Sequence, residues 1–175
     1  MLFRSPRYAA LGLAAASKEA PEHGGINIEG LAATPGDGLV AGFRSPLVQG
    51  KALLATILNP AEAIEGKRAV LGPPLLLDLD GHGIRDITWT GSEWYVIGGG
   101  VQGAGKARLY RWAGGTSNPE ALKDTGFKRF HPEALAARRD GSEGRLELLV
   151  LSDDGRDGSN GGGGEPAFRS FVVVP

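Results

Sequence analysis

Glu29-Gly-Leu-Ala32, Arg85-Asp-Ile-Thr88 and Glu133-Ala-Leu-Ala136 share one pattern: a charged residue, a small or acidic one, a branched aliphatic, and a small residue. The copies lie 56 and 48 residues apart, the length of a four-stranded propeller blade. The segments after the three copies are also parallel. A turn leads to an apolar run (Leu39–Phe43, Trp94–Ile97, Leu146–Leu151), then to a polar or Gly-rich loop, then to a further run (Lys51–Leu58, Ala107–Trp112, Phe168–Val174). The pattern predicts an all-β chain, a partial β-propeller of three four-stranded blades over residues 26–79, 84–130 and 131–175. Each blade opens with an inner strand that starts on an ionic residue.

Composition agrees. The chain has 175 residues, of which 29 are glycine and 11 proline. Interior glycines each cost a helix about 1 kcal/mol against alanine, so this content suits short strands and tight turns. The register also decides a local conflict. Pro132–Arg139 has helix-forming residues, yet its place in the repeat makes it an inner strand. One short helical turn is expected at Asn59-Pro-Ala-Glu-Ala-Ile-Glu-Gly66, with Asn as N-cap, Pro at the first helical position and Gly as the stop.

Lysine plus arginine (19) balance aspartate plus glutamate (20), which gives no broad electrostatic reason to bind nucleic acid or an anionic membrane. With no cysteine, disulfides, thiolate chemistry and cysteine-ligated metals are excluded. No apolar run approaches the ~20 residues that span a bilayer. The expectation is a soluble protein, cytoplasmic or periplasmic. Residues 1–25 form a separate N-terminal segment. Arg4, Arg7 and the apolar stretch Tyr8–Ala16 mimic a signal peptide, whereas Met1–Ser5 reads as a non-native start that implies a truncated chain. Three blades do not close a ring, which typically takes four to eight. Truncation is the favoured explanation, and a homodimer completing six blades is the other.

Gly25-Ile-Asn-Ile-Glu-Gly-Leu-Ala32, Gly42-Phe-Arg-Ser-Pro46 and Gly83-Ile-Arg-Asp-Ile87, with Leu151-Ser-Asp-Asp-Gly155 and Phe168-Arg-Ser-Phe171, resemble a bacterial β-propeller family catalogued as a domain of unknown function. The resemblance runs from Pro21 to Pro175 and implies the C-terminal half of a longer propeller. It implies no reaction. The Glu-Gly-Leu segment is more distantly similar to the esterase-like propellers related to phytases.

Gly100–Ala107 almost spells a phosphate-binding loop, but Ala107 stands where a Mg²⁺-binding hydroxyl belongs and a strand comes next. Gly98, Gly100 and Gly103 match the dinucleotide fingerprint without its helix. Both read as hairpin loops, and Arg156–Pro166, with Gly161–Gly164, as a long loop. Asp78, Asp80 and Asp86 have the spacing of a calcium loop, although His82 falls where an oxygen ligand is expected. His23, His82 and His131 are otherwise too scattered for a metal signature. Trp89, Trp94 and Trp112 read as packing between blades.

The inner rim is the better candidate. Glu29, Arg85 and Glu133 should meet at the channel, with Asp86 beside Arg85, and with Arg44, Asp153 and Asp154 reaching the same mouth from the second strands. This constellation supports two readings. One is a non-catalytic scaffold or binding module whose arginines hold a small anionic ligand or whose mouth meets a protein partner. The other is a metal-assisted hydrolase of phosphate or carboxylic esters, with Glu29, Glu133 and Asp153 around a divalent ion such as calcium. A salt-bridged ring that merely joins blades would use the same residues.

Overall fold

The computed structural model describes residues 6–101, 106–123, 125–127, 130–141, 144–156 and 166–175, with 154–156, 166 and 167 described as backbone only. Among the described residues eleven strands make three antiparallel, blade-like sheets. The first holds β1 (Asn27–Ala33), β2 (Leu39–Ser45), β3 (Ala52–Ile57) and β4 (Leu75–Leu77) in sequential order. The second repeats this with β5 (Gly83–Trp89), β6 (Trp94–Gly99), β7 (Arg108–Trp112) and β8 (Glu120–Ala121). The third has β9 (Pro132–Arg139), β10 (Leu146–Arg156) and β11 (Pro166–Val173). Among the described residues it is three-stranded, one fewer than the repeat predicts. The Pro132–Arg139 segment is a strand, so sheet register overrides the helix propensity of its alanines and arginines.

The sheets stack face to face, and their cores are the seams between them. Val40, Ala52, Leu54 and Leu77 of the first sheet bury against Ile84, Ile87, Val96, Tyr110 and Trp112 of the second. Gly42 sets the spacing of this seam: a Cβ there would lie 2.5 Å from Ile84 Cγ2, so only glycine lets Ile84 rest on the strand. The tryptophans belong to the same seam, with ring centroids 5.0 Å apart for Trp89–Trp94 and 6.1 Å for Trp94–Trp112. Tyr95, Ile97 and Leu109 form the other seam with Leu135, Leu148 and Val150. At ~1.5–3 kcal/mol per fully buried large apolar side chain, these seams supply most of the cohesion between sheets.

The N-terminal segment is not peripheral. Two four-residue helices, α1 (Pro6–Ala9) and α2 (Leu13–Ala16), place Tyr8 and Leu13 on Phe43, Leu53 and Ala55, on the face of the first sheet away from the second. The Tyr8 hydroxyl donates to the Gly72 carbonyl at 3.2 Å. Helix α3 (Pro60–Ile64) is the expected turn, followed by Gly66 at φ 90°. Asn59 works differently from a simple cap. Its Oδ1 accepts from the Val70 N–H at 2.7 Å and its Nδ2 donates to the Arg68 carbonyl, so it ties the turn to the returning chain. No helix among the described residues is long and apolar enough to cross a membrane.

Candidate functional site: an ionic rim on three bulges

Glu29, Arg85 and Glu133 occupy equivalent places for a reason visible in the pairing. In the first sheet Ile28 faces Phe43 and Gly30 faces Gly42, so Glu29 is an extra residue in the ladder. In the second, Ile84 faces Gly98 and Asp86 faces Ile97, leaving Arg85 extra. In the third, Pro132 faces Ser152 and Ala134 faces Leu151, leaving Glu133 extra. Each is the added residue of a β-bulge near the start of the innermost strand. A bulge bends the strand and re-aims one side chain, and bulges recur at the rims of barrels for this reason.

The three bulges bring the rim together as two ion pairs. The Arg44 Nη1 donates to Glu29 Oε1 at 2.7 Å, and the Asn27 amide donates to the same oxygen at 2.8 Å. Arg85 Nη1 pairs with Glu133 Oε1 across the second seam. Arg44 Nε reaches across the first seam to the Gly100 carbonyl at 3.1 Å. The pairs are linked electrostatically. Burial lowers the pKa of Arg85, the nearby Arg44 charge lowers it further, and Glu29 opposes both. Two guanidinium groups therefore share one rim, with Arg44 and Arg85 side chains only 16% and 11% exposed. Glu29 Oε2 and Arg85 Nε are buried there without a hydrogen-bond partner. Such orphans are uncommon in native proteins, at about 1–3 kcal/mol each.

Gly99 completes the arrangement. It follows Gly98 as Arg44 follows Phe43 and Asp153 follows Ser152, opposite each bulge. A Cβ on Gly99 would stand 2.2 Å from Arg85 Nε, so its absence gives Arg85 the space to lie across the strand.

The remaining expected residues divide. Asp86 grips the backbone: Oδ1 accepts from Ile87 N–H at 2.8 Å and Oδ2 from Leu135 N–H at 2.7 Å, which fastens the second sheet to the third. Burial raises its pKa, partly offset by those two N–H donors. Asp153 is exposed on β10, with its N–H bonded to the His131 carbonyl. The Asp154 side chain lies outside the described residues, as do Met1–Ser5, residues 102–105 of the Gly100–Ala107 loop and residues 157–165. That loop leads into strand β7 rather than a helix.

In the expected calcium loop, Asp78 lies 3.9 Å from Lys51 Nζ, Asp80 pairs with Arg108 at 2.7 Å, and both Asp86 oxygens hold N–H groups. No group of three or more His, Asp or Glu side chains placed to hold a metal occurs among the described residues. Sequence reasoning missed two features: the Gly100 carbonyl as a partner of Arg44, which no side-chain pattern encodes, and the bulges. The second had a signal, since the repeated ionic residue falls where a regular alternation would place a core or solvent position.

Fold and rim together define an all-β protein of stacked blade-like sheets with charged residues gathered where the inner strands begin. A family model described as "Protein of unknown function (DUF3616)" matches residues 12–155, and the chain belongs to that family. No curated protein matches significantly, and neither does any solved structure.

Proposed function

We propose that this chain is a run of three propeller blades acting as a non-catalytic binding module, whose channel mouth takes a small oxyanion such as a phosphate or carboxylate. One observation carries this reading: two guanidinium groups of like charge, Arg44 and Arg85, are nearly buried in one rim, and Arg85 Nε has no hydrogen-bond partner there. An oxyanion between two guanidiniums relieves that repulsion and accepts their fork of donors. Glu29 and Glu133 hold the arginines in place and balance their charge.

The second reading, metal-assisted ester hydrolysis through Glu29, Glu133 and Asp153, has less support. Glu29 and Glu133 each give an oxygen to a guanidinium, and those pairs would have to break to admit a cation.

Calorimetric titration of the chain with inorganic phosphate and with acetate at low ionic strength tests the proposal. Saturable binding is expected, weakened about tenfold or more in Arg85→Gln and Arg44→Gln, in line with the loss of a charge-assisted hydrogen bond. Binding that neither substitution alters would overturn it, as would the absence of saturable binding. Ester turnover that requires calcium or manganese and disappears in Glu29→Gln would favour the hydrolase.

A further inference from the structure

A cavity of about 500 Å³ opens beside the rim, between the loops at the first seam, lined by Gly24, Pro46, Leu47, Gly81, His82, Gly100 and Val101. That volume lies within the range of small-molecule sites. Its walls are apolar at Pro46, Leu47 and Val101, and among the described residues of its lining His82 is the one ionisable side chain.

His82 is held by several groups at once. Its Nδ1 lies 2.7 Å from the Leu79 carbonyl and 3.2 Å from the Tyr110 hydroxyl. The Tyr110 hydroxyl itself donates to the Leu79 carbonyl at 2.9 Å. A carbonyl only accepts, so Nδ1 carries the hydrogen and Nε2 of the neutral ring is an acceptor. Tyr110 is a fixed neutral support: burial first, and then Asp80, push its pKa up to about 12. Gly98 provides room for the assembly, because a Cβ there would stand 2.7 Å from the Tyr110 ring and 3.2 Å from His82 Cβ. Orienting a histidine through an Nδ1–H···O=C bond is how proteins present Nε2 to a ligand.

We infer that this seam cavity is a second binding site, separate from the ionic rim. Its ligand is a compact, largely apolar molecule carrying one hydroxyl or N–H group, which donates to His82 Nε2. The apolar body lies against Pro46, Leu47 and Val101. The donor is what the site selects, because a ligand without one covers the half-buried His82 and leaves Nε2 with neither water nor a partner.

The probe is 2-naphthol, followed by its own fluorescence, against 2-methylnaphthalene, which has the same shape and no donor. The full chain is expected to bind 2-naphthol saturably and about tenfold more tightly, the worth of one hydrogen bond. The His82 Nε2 resonance should shift on binding. His82→Phe should bring the two affinities together, and Val101→Trp, which fills the cavity from its wall, should abolish binding with the unfolding midpoint unchanged. Equal binding of the two probes by the unaltered chain overturns the inference. So does undiminished 2-naphthol binding by Val101→Trp, which decides the matter even if His82→Phe fails to fold. Phosphate binding by the rim is read separately, so either site can fail without the other.

Discussion

The outer faces of the first and third sheets are built from the same kind of strand and meet different fates. On the first, Phe43 and Leu53 are fully buried because Tyr8 and Leu13 of the N-terminal helices cover them. On the third, the pairs Leu149–Val172, Leu151–Ser170 and Asp153–Phe168 put outward one face that mixes four apolar residues with Ser170 and Asp153. Phe168 is 79% exposed, with Leu151, Val172 and Val174 also exposed. Alternation along a strand therefore states which residues share a face, not whether that face is covered. Covering depends on what the rest of the chain supplies. Two short helices, too short to be stable alone, do for the first sheet what a neighbouring blade does at the seams.

The comparison can be broken most forcefully by removing the cover. A chain beginning at Ser17 should unfold at a markedly lower temperature and bind a hydrophobic dye, because Phe43, Leu53 and Ala55 become solvent-exposed. If its midpoint matched the full chain, the helices would be ornament. Next in size, Phe43→Ala should cost about 3–5 kcal/mol in urea unfolding, as a large buried side chain leaves a cavity. Tyr8→Phe should cost about 1 kcal/mol at neutral pH through the lost bond to the Gly72 carbonyl.

The tyrosines also predict an alkaline limit. Burial raises the pKa of Tyr8, and Tyr95 and Tyr110 are pushed up to about 12. Above pH 10 the unfolded chain releases these protons and the folded chain keeps them, so stability is present below pH 10 and falls towards pH 12. Tyr8→Phe should flatten part of that fall in a stability–pH series. The smallest effect belongs to the open face: Phe168→Ser should change stability by no more than about 0.5 kcal/mol. A loss as large as that of Phe43→Ala would show that the face is covered in solution.

Much of the fold was legible in the residues. The ionic repeat located all three inner strands, with Glu29, Arg85 and Glu133 near their starts, and it made Pro132–Arg139 a strand. Three things were hidden, each for a physical reason. The docking of Tyr8 and Leu13 on the first sheet was hidden because a short apolar stretch reads the same whether it docks on a sheet or enters a membrane. Asp86 looks like a metal ligand by spacing, yet its oxygens go to backbone N–H groups, which nearly every residue carries and no pattern marks. His82 stood out only as a misfit in an acidic loop, since its partners Leu79 and Tyr110 are joined to it by the fold and by a carbonyl.

The bulges have one more consequence. A residue inserted between two ladder positions is released from the strand's inside–outside alternation, so its identity is decoupled from the packing of the seams. Exchanging one ionic side chain for another at positions 29, 85 and 133 changes the charge of the rim at positions that lie outside the ladder register shared by Ile84, Ile87 and Leu135. Such a scaffold can carry a different pattern of rim charges while its ladder register stays as it was.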